Sequence, residues 1–107
     1  MPQRGWVYEV VMSSYSFVLP SDFADYEWEV MASSSFSEAL MTVDEKQYRF
    51  NFYDAVRLGQ EIESELEKGG MFFEPNLVII RSVTKAEMKV AAEQLVRSGL
   101  VVLLTPE

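Results

Sequence analysis

Four carboxylates, Asp22, Asp25, Glu27 and Glu29, fall within eight residues, have no basic neighbour in sequence, and are interleaved with Tyr26 and Trp28. If that segment is extended, Glu27 and Glu29 share one face about 7 Å apart, a spacing comparable to that of phosphates along a nucleic-acid strand. A surface of this kind imitates a nucleic-acid backbone or meets a basic protein; the plain alternative is a solvated sheet face. Asp22, Asp25, Glu27, Trp28 and Glu29 are therefore the candidate partner-binding residues. The same oxygens make no recognisable metal cage, because the spacing is not that of an EF-hand loop and the required glycine is missing. No metal site and no cofactor are expected.

A second group, Tyr48, Arg49, Tyr53 and Arg57 with Asp54, lies where a strand gives way to a helix. Tyr48, Arg49, Tyr53 and Arg57 are the candidate ligand-binding residues, suited to a small molecule or an anion; equally, residues of these types cap and brace such a corner. Ser13, Ser14 and the serines at 33–35 offer hydroxyls with no base beside them, so nucleophilic catalysis is not indicated. Gly69-Gly70 matches a helix stop, and neither phosphate-loop pattern occurs.

The absences narrow the chemistry further. Histidine and cysteine are both missing, which removes imidazole acid–base catalysis, thiolate chemistry, disulfides and cysteine-based zinc or iron–sulfur centres. An enzyme would have to rely on shifted carboxylates, lysine, tyrosine or a cofactor, and a non-enzymatic role is favoured. Net charge is −8, from 9 basic and 17 acidic residues. All of that excess lies in residues 1–70, since residues 71–107 carry equal numbers of each sign. Such a field repels nucleic acid directly and attracts basic partners, though it also serves solubility alone.

The elements that must position these groups follow from periodicity. Residues 6–19 alternate as a strand whose phase changes at Ser13-Ser14, through a bulge or a tight reversal. Tyr26, Trp28, Val30 and Ala32 alternate against Glu27, Glu29 and Met31, predicting a half-buried strand with its acids on the wet side. Ser35 and Glu38 resemble a capping box for a short helix, but the preferred reading of 39–52 is a hairpin. Its turn is at 44–46, and Tyr48, Phe50 and Phe52 point inward.

Ala55, Leu58, Ile62 and Leu66 then form a helical stripe, with Asn51 as the expected cap and Gly69-Gly70 as the stop. Residues 76–83 read as a strand covered on both faces. Thr84, Glu87 and the Val83–Met88 staple start a second helix, Gly99 ends it, and residues 100–104 are expected to complete a β-α-β unit.

The expectation is one α+β domain spanning 1–107: N-terminal antiparallel strands followed by α-β-α-β, with a mixed sheet carrying two helices on one face. No apolar run approaches membrane-spanning length and no secretory pattern opens the chain, so a cytoplasmic location is expected. Two functions fit. One is a small acidic protein-binding module, of the inhibitor, immunity-protein or antitoxin kind, that engages a basic macromolecule. The other is a small ligand-binding domain or cofactor-dependent enzyme with its pocket where the antiparallel strands meet the β-α-β unit. The aromatic N-terminal strand, with Trp6, Tyr8, Tyr15 and Phe17, further predicts a homodimer.

Overall fold

A computed structural model describes residues 15–107. Among the described residues, two three-stranded sheets share one bent ribbon of chain, residues 46–53. Strand β1 (Tyr15–Val18) pairs antiparallel with β3 (Leu40–Val43), with Tyr15 opposite Val43 and Val18 opposite Leu40. Strand β3 turns back into β4 (Lys46–Arg49) through Asp44-Glu45, both at positive φ. That is the two-residue type I′ geometry whose twist matches a hairpin, here without its usual glycine. The hairpin forms as expected, but its return arm ends at Arg49 rather than Phe52.

The ribbon leaves the first sheet at Phe50, whose N–H donates to the Ala39 carbonyl at 3.1 Å. It enters the second sheet as β5 (Asn51–Tyr53), which lies between antiparallel β2 (Ser35–Phe36) and parallel β6 (Leu77–Ile79). Because Tyr48, Phe50 and Phe52 keep one phase through the bend, all three are buried, and the two phenylalanines are fully inaccessible.

Three helices complete the α+β fold. Helix α1 (Phe23–Ser33) buries Phe23 and Val30, while α3 (Lys85–Arg97) buries Met88, Ala92 and Val96, all within one core with Phe36, Met41, Phe50 and Phe52. Helix α2 (Ala55–Gly69) links the parallel strands β5 and β6 and buries Leu58. No helix among the described residues is long and apolar enough to cross a membrane.

Several local expectations are corrected. Residues 26–32 are helical, not extended: Phe23 and Val30, seven apart, lie on one buried stripe, and Phe23 packs edge-on against Phe36 at 5.2 Å. Burial of that stripe outweighs the alternation. Ser35 belongs to β2 instead of opening a helix. The cap of α2 is Asp54, which accepts from the Arg57 N–H at 2.8 Å, because Asn51 is held in β5.

Strand β6 is a sheet edge with Ile79 53% exposed, not a strand covered on both faces. Residues 100–104 form no strand. Gly99 at φ 77° turns the chain into a 3₁₀ helix (Leu100–Leu103), so the β-α-β unit is β5–α2–β6 and the sheets remain separate. The phase change at Ser13-Ser14 and the aromatic positions Trp6 and Tyr8 lie outside the described residues.

Candidate functional site

Helix α1 carries the acidic group, and its local structure decides which of those carboxylates face solvent. The Phe23 N–H bonds the Pro20 carbonyl and the Asp25 N–H bonds the Asp22 carbonyl, so residues 20–25 wind directly into the helix. Asp22 occupies the cap position, yet its side chain makes no capping bond. Asp25 sits in the first turn, where the helix dipole favours negative charge. The helix kinks at Tyr26, and Phe23 and Val30 anchor it from below.

Outward from this anchor stand Asp25, Trp28, Glu29 and Met31. Asp25 precedes the kink at Tyr26, Trp28 and Glu29 follow it, and all three side chains are exposed. Trp28 is 68% exposed and Met31 49% exposed. Asp22, Asp25 and Glu29 take part in none of the ion pairs among the described residues. The helix thus exposes two apolar side chains, Trp28 and Met31, together with the carboxylates of Asp25 and Glu29, and Asp22 stands at its cap.

Glu27 does not belong to this group. On a helix, residues two apart point in different directions, and Glu27 turns toward α3, where its Oε2 accepts from the Lys85 N–H at 2.9 Å at the surface. This carboxylate satisfies a free donor at the start of α3, next to the Thr84 hydroxyl that accepts from the Glu87 N–H at 3.2 Å. The expected pair of Glu27 and Glu29 on one face is therefore not formed.

The second candidate group is divided. Tyr48 is a core residue, and Arg49, next to it on β4, points the opposite way and pairs with Glu107 at 2.7 Å. Tyr53 and Arg57 do share the strand-to-helix corner. The Tyr53 hydroxyl bonds both oxygens of the Glu74 carboxylate at 2.8 and 2.9 Å, and Arg57 pairs with Glu61 at 2.9 Å. Burial and the Glu74 carboxylate push the Tyr53 hydroxyl far above its ordinary pKa, so it stays a neutral donor.

A cleft of about 410 Å³ opens beside Tyr53, between α1, β2 and the segment before β6. Tyr26, Ser37, Glu38, Asn51, Tyr53 and Glu74 supply its polar lining. Burial raises the Tyr26 pKa, and the negative charges of Asp22 and Glu38 raise it further. The cleft therefore lies in the same acidic field as α1, and its chemistry suits a cation better than an anion. No group of three or more metal-ligating side chains occurs among the described residues.

Sequence reasoning did not find Glu38, Glu74 or the bond of Glu27 to α3. The bonding pairs span 21 residues for Tyr53–Glu74 and 58 for Glu27–Lys85, and no local pattern encodes either. Comparison of the chain with protein-family models, with curated proteins and with solved structures finds no match.

Proposed function

We propose that this chain is a small acidic protein-binding module, of the inhibitor, immunity-protein or antitoxin kind, and that the exposed side of α1 is its working surface. The observation that supports this reading is Trp28, 68% exposed on a helix whose exposed Asp25 and Glu29, with Asp22 at its cap, take part in no ion pair among the described residues. Tryptophan is among the residues that most often carry the binding energy of a protein interface. The net charge of −8 selects a basic partner and accelerates its approach.

The cleft beside Tyr53, with Glu38 and Glu74 in its wall, suits entry of a lysine or arginine side chain from the same partner. A homodimer acting in the cytoplasm is part of the proposal, and a small-ligand or cofactor role is the second reading, favoured only by that cleft.

Affinity capture from the native cell, with identification by mass spectrometry, tests the reading. The expected result is a protein of net positive charge that is released as salt rises and is not captured by a Trp28→Ala variant. Equal capture by wild type and Trp28→Ala, or partners with no positive charge, would overturn it.

A further inference from the structure

Among the described residues, β6 is an outer strand of the second sheet. In β6, the Asn76 carbonyl and the Ile80 N–H are bonded to β5, so the backbone groups of 76, 78 and 80 point inward, and those of Leu77 and Ile79 point away from the sheet. Among the described residues, no strand pairs with that outer edge. Beside it runs a groove of about 560 Å³ lined chiefly by Val78, Ile79, Ile80, Ala91, Leu95 and Leu100. No acidic side chain lines it, and its one charged residue, Arg97, is paired with Glu93 at 2.8 Å. An open edge next to an apolar groove accepts an added strand: the backbone supplies hydrogen bonds and the groove takes alternate side chains.

We propose that this edge is the contact between two copies of the chain, with β6 of each pairing antiparallel about a twofold axis; the proposal rests on the homodimer reading above. A basic partner has no carboxylate to meet here, and two chains of charge −8 repel each other least where their acids are absent. The excess negative charge belongs to residues 1–70, whereas the groove is built from β6 and α3, in the neutral part of the chain. Pairing is self-complementary: Leu77 of one copy lies opposite Ile79 of the other, each outward N–H and C=O finds a partner, and Val78 meets its own copy on the axis. Ile79, 53% exposed, and Leu100, 48% exposed, are covered by the second copy. The working side of α1 remains free.

The test uses the full chain at micromolar concentration and physiological salt. Sedimentation equilibrium should give about twice 12.3 kDa. Ile79→Lys should weaken self-association at least about tenfold, while Trp28→Ala should leave it unchanged. Since the chain has no cysteine, Val78→Cys supplies a probe that forms a covalent dimer on oxidation only if the two Val78 positions face each other across the axis. This probe decides the matter alone if circular dichroism shows Ile79→Lys to be unfolded. A wild-type monomer overturns the homodimer reading and this interface with it. A wild-type dimer that survives Ile79→Lys, dissociates on Trp28→Ala, or leaves Val78→Cys uncrosslinked overturns the β6 pairing and leaves the homodimer standing.

Discussion

The Glu27 carboxylate, in the middle of α1, accepts a 2.9 Å hydrogen bond from the Lys85 N–H at the start of α3. This bond ties the helix that carries the candidate surface to the N-terminus of α3. Replacing Glu27 by Ala should cost about 1 kcal/mol, comparable to the loss of a helix cap, and Glu27→Gln should cost less because its amide oxygen still accepts. Urea unfolding followed by far-ultraviolet circular dichroism measures both. If Glu27→Ala left stability unchanged and removed partner binding, Glu27 would be part of the interface instead.

The Asp44-Glu45 turn is a second point where side chains and backbone disagree. Both residues sit in the left-handed region, which Asn and Gly occupy at lower cost. The double substitution Asp44→Asn with Glu45→Gly should stabilise the chain by about 1 kcal/mol, partly offset by the extra freedom glycine brings to the unfolded state. A fall in the urea midpoint would show that the hairpin turns another way.

Asn76 ties β6 to the C-terminal tail. At φ 53° its amide donates to the Arg49 and Thr105 carbonyls at 2.9 and 2.8 Å and accepts from the Thr105 N–H at 2.7 Å. Asn76→Gly keeps the backbone conformation and loses those bonds, at about 1–2 kcal/mol. Asn76→Ala should cost more, because it also strains the backbone. Amide exchange at Thr105 should quicken in both variants; unchanged protection there would contradict the tie.

Thr84, Glu87 and Gly99 announce α3 in the sequence because caps and stops are local signals. Residues 44–52 likewise announce the hairpin through the shared phase of Tyr48, Phe50 and Phe52. Helix α1 was not legible. Residues 26–32 carry both an alternation and, with Phe23, a seven-residue spacing, and the choice between them rests on Phe36, which lies outside the segment. The stretch 100–104 reads as a strand by composition, yet Gly99 starts a 3₁₀ turn, and Asn76 and Gln47 then hold the tail at 105–107. Of the candidate site, the acid cluster and Trp28 were visible, whereas the withdrawal of Glu27 required knowledge of where Lys85 lies.

Acid should destabilise the chain through two identified carboxylates. The Arg57 backbone N–H holds the Asp54 pKa below its ordinary value, and the hydrogen bond from Arg49 does the same for Glu107. A carboxyl depressed on folding contributes stability that is complete above its unfolded pKa and is lost as pH falls through the folded one. Both contributions should therefore be intact near neutrality and disappear from about pH 4 downward. Asp54→Asn, which still caps the helix, should flatten this part of the stability–pH curve. An unchanged acid limb in Asp54→Asn combined with Arg49→Met would contradict the assignment.

Indole emission reads directly the proposed role of Trp28, on the helix that exposes Asp25 and Glu29, as the anchor for a basic partner. With Trp6→Phe leaving Trp28 as the single tryptophan, the free protein should emit at the long wavelength of a solvated ring, in keeping with its exposure. Saturation with the captured partner should shift that emission to the blue as the ring is buried, and added salt should reverse the shift as the complex dissociates. A saturated complex in which Trp28 still emits as a solvated indole would contradict the account.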